Sequence, residues 1–265
     1  MKAKKSLGQH FLTSKSALEK ICQAGDIRNS DTILEIGPGT GVLTEGLLAR
    51  AGKVIAVEKD TELIPLLEEK FSDELSSKKL TILQEDILNF DPSSRRSSLL
   101  GYKVVANIPY YITGAIIEKF LSTENQPERM VLLIQKEVAE RIVARDNKES
   151  ILSIAVKAYG APKIIAKVPA GAFNPPPKVD SAILSIENIS RDFFTSTDET
   201  LFFKVMKGVF GKKRKQIGGT LAEILGNKDM ARSDLAGAGI DPKTRPEDIN
   251  LETWKKLTQA IANRK

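Results

Sequence analysis

Asn107-Ile108-Pro109-Tyr110 sets an amide, a proline carbonyl and an aromatic ring within four residues, directly after the apolar run Lys103 to Ala106. That set suits one kind of chemistry. The exocyclic amine of a nucleobase is a poor nucleophile because its lone pair is delocalised into the ring. Two acceptors aimed at its N–H groups, the Asn107 amide oxygen and the Pro109 carbonyl, would favour the pyramidal, nucleophilic form. This is preorganised electrostatics directed at the developing charge. Pro109 fixes φ and stiffens the turn, and Tyr110 offers a ring on which a base can stack. Phe173-Asn174-Pro175-Pro176-Pro177-Lys178-Val179 brings a second aromatic beside a triproline, a rigid extended element. It is expected to hold Phe173 as the opposite aromatic wall. A base lying between Tyr110 and Phe173 must have left its stack. The plainer alternatives are a proline turn with an Asn cap, and a stiff connector.

Three further stretches supply places for a ligand. Thr32 to Ile36 ends in Gly37-Pro38-Gly39-Thr40-Gly41, and helical spacing then begins at Val42, Leu43, Leu47 and Leu48. Glycines at Gly37 and Gly39 let the backbone turn sharply and approach a ligand closely. The spacing is Gly-x-Gly-x-Gly, not the Gly-x-Gly-x-x-Gly that seats a dinucleotide pyrophosphate. A second apolar run, Lys53 to Val57, leads into Glu58, an acid able to accept both hydroxyls of a ribose. Together these features point away from NAD and toward S-adenosylmethionine, which has a ribose and no phosphate. After a third run, Asp86 can accept the amine of an adenine and Ile87 can lie on its face. Taken singly, either acid could be an ordinary surface residue at a loop end.

The elements that must position these residues follow from periodicity. Strands are expected at Thr32–Ile36, Lys53–Val57, Leu80–Gln84, Lys103–Ala106, Met130–Ile134, Lys163–Val168 and Ser181–Glu187. Helices fall between them, at about 42–50, 61–75, 113–122, 135–145 and 149–159. Alternation of this kind gives an α/β fold with a mostly parallel sheet covered on both faces, and ligands then bind at the carboxyl ends of the strands. Beyond Ile189 only helical patterns appear, at about 199–209, 217–225, 229–236 and 251–262. Two domains are therefore expected, 1–189 with the site and an N-terminal arm, and a small helical domain over 190–265.

Composition narrows the class. With 265 residues and 41% hydrophobic content, the chain can bury one large core plus a small appended one. No apolar run approaches a membrane span, and no apolar stretch follows the basic residues at the start as a secretory signal would require. One cysteine, Cys22, and one histidine, His10, allow neither a disulfide nor a Cys/His metal set. A cytoplasmic protein, monomeric and without a metal, is expected. The net charge of +6 favours an anionic partner. Lys204, Lys207, Lys212, Lys213, Arg214 and Lys215 follow one another with no intervening acid. Lys212, Lys213, Arg214 and Lys215 form the run expected to grip phosphates, a solvated helix end being the alternative.

Several of these motifs, with others beside them, resemble one family over nearly the whole chain. Gly8-Gln9-His10-Phe11-Leu12, Glu35 to Gly41, Glu58, Asp86, Asn107 to Tyr110, Gln135-Lys136-Glu137-Val138 and Phe173 to Ala182 are similar to the small-subunit (16S) ribosomal RNA adenine N6-dimethyltransferases. Phe-Asn-Pro-Pro-Pro-Lys-Val-Asp-Ser-Ala separates this family from relatives that methylate large-subunit RNA. The resemblance implies a Rossmann-like, S-adenosylmethionine-dependent methyltransferase fold with a seven-stranded sheet. It implies transfer of four methyl groups, two to each of two adjacent adenosines in a hairpin near the 3′ end of 16S rRNA. The partner would be the immature small ribosomal subunit, late in its biogenesis. By residue it gives His10, Leu12, Gly37, Glu58, Asp86 and Asn107 to the methyl donor. One departure is visible: the family usually has Asn where this chain has His10, a larger and titratable side chain. An RNA-binding assembly factor and a DNA adenine methyltransferase are the alternatives from other classes. Methyl transfer to immature small subunits, compared with duplex DNA, separates all three.

Overall fold

The structure is a computed structural model that describes residue 4 and residues 8–95, 97–212 and 214–264. The backbone divides into two compact units. One takes in the chain up to Ala139 together with Ala161–Ile189; the other takes in Glu140–Gly160 together with Ser190 onward.

In the first unit seven strands form one sheet: β1 Thr32–Ile36, β2 Lys53–Glu58, β3 Leu80–Gln84, β4 Lys103–Asn107, β5 Arg129–Gln135, β6 Ala161–Val168 and β7 Ser181–Glu187. The inner strands are runs of Val, Ile and Leu because helices cover both faces and leave no solvated side; Ile33, Leu34, Val104, Val105, Val131 and Leu132 are all fully buried. The strand order is β3-β2-β1-β4-β5-β7-β6. β1 to β5 pair in parallel, and β7 runs antiparallel to both β5 and β6. The order reverses beside β1, which has β2 on one side and β4 on the other. That reversal opens a crevice at the carboxyl ends of the strands.

The helices of this unit are α1 Lys15–Ala24, α2 Val42–Leu48, α3 Ile64–Lys70, α4 Ser72–Ser76, α5 Thr113–Ser122 and the start of α6 Lys136–Val143. Ser14 caps α1, accepting from the Ala17 N–H. Gly41 begins α2 at φ 77°, and a Cβ there would stand 2.5 Å from the Phe71 ring. The same ring accounts for a difference from expectation. The helix expected over 61–75 is two helices, broken where Phe71 leaves helical geometry (φ −116°, ψ 34°) and buries its ring under Gly41.

The second unit holds α7 Ile151–Tyr159, α8 Glu199–Phe210, α9 Ile217–Leu225, α10 Lys228–Gly237 and α11 Leu251–Ala262. Its core is apolar and rich in rings: Trp254 stacks on Phe210 at 5.6 Å, and Phe202 meets Phe193, Phe194 and Phe203 edge-on or nearly so. The expected division 1–189 and 190–265 needs correction for 140–160, which belongs with the helical unit. The reason lies on α7, where Ile154 and Ala158, one turn apart, are buried in the same cluster as Phe202, Val205, Leu221 and Trp254. No helix among the described residues is long and apolar enough to cross a membrane.

Candidate active site

The loops that follow β1, β2, β3 and β4, together with the arm Gly8–Leu12, line one cavity. The glycine turn forms its floor. Gly39, at φ 61°, passes so close beneath the arm that a Cβ would meet the Phe11 ring at 3.1 Å. Glu58, the last residue of β2, ties the turn down: Gly39 N–H donates to its Oε2 at 3.2 Å and Asp60 N–H to its Oε1 at 2.8 Å. Glu58 is buried, which raises its pKa, while the Asp60 and Gly39 amides work against that rise.

Two residues farther on, Asp60 anchors the arm. Lys4 Nζ and Gln9 Nε2 donate to its two oxygens at 2.7 and 2.8 Å. Burial alone would raise the Asp60 pKa, but Lys4 and Gln9 outweigh it and hold the carboxyl below its ordinary range. Neither Lys4 nor Asp60 was among the expected site residues. The arm is fastened at its other end as well. Phe11 and Leu12 pair antiparallel with Asn174 and Phe173, and the Thr13 N–H donates to the Ala172 carbonyl at 2.8 Å. These two-residue strands are absent from the sequence expectations, since two apolar residues carry no periodicity.

After β3, Asp86 and Ile87 line the cavity as expected. Asp86 already has partners: Lys59 Nζ donates to Oδ2 at 2.8 Å and the Leu88 N–H to Oδ1 at 3.0 Å. The Lys59 bond is the main reason its pKa lies below the usual carboxylate value.

After β4, Asn107 donates through Nδ2 to the His10 carbonyl at 3.1 Å. The arm thus takes one of the amide's two N–H groups, and Oδ1 keeps its capacity to accept. The Pro109 carbonyl accepts from the Ile112 N–H at 3.3 Å and keeps a second lone pair. Tyr110 is half-buried, with its hydroxyl 2.7 Å from Ser181 Oγ and its pKa raised by burial. His10 lies against the Tyr110 ring, centroids 6.0 Å apart and planes at 21°, with Nδ1 2.8 Å from the Pro175 carbonyl. Because a carbonyl can only accept, Nδ1 is the donor and carries the proton in the neutral ring.

Phe173 is not where it was expected. It is 4% exposed, belongs to the core cluster with Leu12, Val168 and Ile183, and does not line the cavity. Pairing with Leu12 directs the residue inward, and the proline segment that follows holds His10 instead. His10, not Phe173, lies against Tyr110 in this structure.

Glu35 also lines the cavity, and sequence reasoning assigned it no role beyond its place in the Glu35 to Gly41 motif. It is 1% exposed, and among the described residues neither carboxylate oxygen has a hydrogen bond of good geometry, the similarly buried Thr44 hydroxyl being its polar neighbour. Burial pushes its pKa up to about 8; nearby Thr44 opposes this, Glu58 adds to it and Lys70 opposes it. The signal was present as an acid between Leu34 and Ile36 in an otherwise apolar strand.

Of the basic run, Lys212 forms an ion pair with Glu223, while Arg214 and Lys215 are exposed. Lys213 lies outside the described residues.

This strand order, with its antiparallel seventh strand and a cavity at the order reversal, defines the Rossmann-like fold of S-adenosylmethionine-dependent methyltransferases. The chain belongs to the ribosomal RNA adenine dimethylase family, whose model matches residues 1–263. It is 46% identical over 258 residues to a ribosomal RNA small subunit methyltransferase A of Dehalococcoides mccartyi, covering 97% of this chain and 88% of that one. With a protein of the same description from Clostridium botulinum it shares 37% identity over 262 residues, 98% and 94% of the two chains. Among solved structures, a dimethyladenosine transferase from Plasmodium falciparum superposes with a TM-score of 0.83 at 26% identity, covering 96% and 98%. The 23S rRNA methyltransferase ErmE shares the fold, with a TM-score of 0.76 at 24% identity over 95% and 99%. The protein is an rRNA adenine methyltransferase.

Proposed function

We propose that the chain transfers methyl groups from S-adenosylmethionine to N6 of two adjacent adenosines, two to each, in a hairpin near the 3′ end of 16S rRNA. The substrate is the immature small ribosomal subunit, late in its biogenesis, met by a cytoplasmic monomer that contacts no membrane. The observation that carries this reading is the convergence of Glu58, Asp86, Ile87 and Asn107 to Tyr110 on one cavity at the carboxyl ends of four adjacent strands. The relatives at 46% and 37% identity, both described as acting on the small subunit, support the choice of 16S rRNA.

The residues fit the donor. Each Glu58 oxygen keeps capacity beyond the amide it accepts, enough for two ribose hydroxyls. Asp86 accepts the adenine amine by sharing an oxygen with Lys59, and Ile87 lies on the ring face. Gly37 and Gly39 give the close backbone approach, with Leu12 and the His10 backbone closing the site from the arm. Bound there, S-adenosylmethionine supplies a methyl on a sulfonium, electrophilic without a Lewis acid, so the reading uses no metal.

Asn107 Oδ1 and the Pro109 carbonyl then accept the two N–H groups of the target amine and hold it pyramidal. Tyr110 stacks on the base, His10 giving way or closing over its edge. Phe173 supports this arrangement from within the core and does not form its second wall. Lys212, Arg214 and Lys215 hold RNA phosphates, with Lys213 assigned to the same run by sequence alone.

Labelled methyl transfer tests the reading. Immature small subunits should accept up to four methyl groups per particle on two neighbouring adenosines, and duplex DNA none. Transfer to duplex DNA with none to subunits would overturn it.

A further inference from the structure

Tyr110 and Tyr111 are consecutive aromatics on a single turn of 3-10 helix, Tyr110–Ile112. Three residues complete such a turn, so successive side chains point roughly 120° apart. Tyr110 is half-buried within the cavity, whereas Tyr111 lies at its mouth and is 64% exposed. Leu88, in the loop after β3, lines the same mouth and is 40% exposed. Large apolar side chains scattered singly over a surface need no explanation, but apolar side chains grouped at the edge of a site mark a contact.

The surroundings say what kind of contact. Gly8 of the arm, at φ 62°, passes close to the Tyr111 ring, where a Cβ would stand 3.4 Å from Cε1 and 3.5 Å from Cδ1. One side of the ring is therefore backed by the chain while most of it stays open. Lys59, itself more than half exposed, lies within electrostatic reach of Tyr111 and pairs with Asp86 at 2.8 Å. Lys119 on α5 donates to the neutral Leu88 carbonyl at 3.0 Å. An open aromatic ring with lysines beside it is the arrangement by which proteins hold single-stranded nucleic acid, the ring taking a base and the cations its backbone.

We propose that Tyr111, with Leu88 at the same mouth, is a second base subsite that stacks on the nucleotide adjoining the target adenosine, Lys59 and Lys119 facing its phosphates. The inference rests on the reading that Tyr110 receives a target adenosine. A base drawn out of its stack leaves its neighbour with one face uncovered, and that unstacking is costly. Tyr111 restores the lost face. Because the two tyrosines follow one another in the chain, two consecutive nucleotides can reach them, one base inside the cavity and one outside. Where two adjacent adenosines are methylated in turn, the one not in the pocket then has a defined place. The donor's adenine is the competing occupant. Its assigned place is against buried Ile87, and the two lysines favour a ligand that bears phosphate, which the donor does not.

The full chain and immature small subunits test this. Tyr111→Ala should raise the subunit concentration needed for half-maximal methylation about five- to a hundredfold, the range expected for stacking on one base. Donor affinity by calorimetry and the unfolding midpoint should stay at their wild-type values. Tyr111→Phe and Tyr111→Trp should capture subunits normally, whereas Tyr111→Leu, apolar but without a ring, should behave like the alanine variant. Lys119→Ala should flatten the log–log salt dependence of subunit binding by about 0.7, and an unaltered slope overturns the phosphate half of the inference. Wild-type capture by Tyr111→Ala or Tyr111→Leu overturns the subsite. Weakened donor binding in Tyr111→Ala overturns it too, and makes the ring a cover for the donor's adenine. Tyr110→Ala, measured alongside, separates the two readings. If only Tyr110→Ala impairs capture, the outer subsite fails alone; if neither does, the pocket reading fails with it.

Discussion

Asn107–Tyr110 and Phe173–Pro177 are built from the same residue types, an asparagine, proline and an aromatic ring, with the ring last in one and first in the other. The structure uses them differently. Asn107 and Tyr110 are half-buried and line the cavity. Phe173 is buried in the core, Asn174 pairs with Phe11, and the Pro175 carbonyl holds His10. The difference comes from position in the sheet. The first segment leaves the carboxyl end of parallel strand β4, where an order reversal opens a crevice. The second precedes β7 and is zipped to the arm, so its aromatic is spent on packing. One segment lines the cavity; the other fastens the arm beside it.

The largest effect expected from this contrast is on stability. Phe173→Ala should cost about 3–5 kcal/mol in denaturant unfolding, the usual loss for emptying a buried aromatic site. A variant as stable as the wild type, with weakened adenosine capture, would make Phe173 a binding wall after all. Asn107→Ala should do the reverse. Losing an acceptor, by analogy with an oxyanion-hole donor, should slow single-turnover methylation of immature subunits about a hundred- to a thousandfold, with the unfolding midpoint little moved. A near-normal rate at saturating substrate would remove Asn107 from the chemistry.

Next in size is Glu58→Ala. One hydrogen bond to a charged acceptor contributes roughly 1.5–3 kcal/mol, so donor affinity by calorimetry should fall about ten- to a hundredfold. Unchanged affinity would return Glu58 to a purely structural role, holding Gly39. Tyr110→Ala removes stacking of roughly 1–3 kcal/mol per base. It should raise the subunit concentration needed for half-maximal rate while leaving donor affinity unchanged. The smallest effect lies in the helical unit. Arg214→Ala or Lys215→Ala should each flatten the log–log salt dependence of RNA binding by about 0.7–0.9. Lys212→Ala, already paired with Glu223, should change it less; equal slopes for all three would show that this pair opens on binding.

Much of this architecture is legible in the sequence for a physical reason. A strand buried on both faces must be a largely apolar run, so β1, β2, β4 and β5 announce themselves, and the polar residues at their ends mark the rim. Glu58 and Asn107 were found in this way, each in fact being the last residue of its strand. Phe173 was misplaced because its neighbour is Leu12, some 160 residues away, and no local pattern carries that pairing. The Lys4 and Gln9 contacts with Asp60 escape for the same reason. Glu35 escapes for another: an acid inside an apolar run looks like an interruption until the structure shows it fully buried beside Thr44. The 140–160 segment was misassigned because an apolar helical face states that it will be buried, not against what.

The two-residue ladder between arm and core also has a consequence for the order in which the site comes into being. The arm is made first, yet its anchors, Ala172 to Pro175, are translated some 160 residues later. At about 5–20 residues per second the nascent arm waits on the order of ten seconds or more with no strand to join. Glu58, Asp86 and Asn107 all emerge in that interval. The arm is therefore the last part of this half of the molecule to close, and a chain halted before Ala172 would carry the rim of the site without the clasp that aims Asn107.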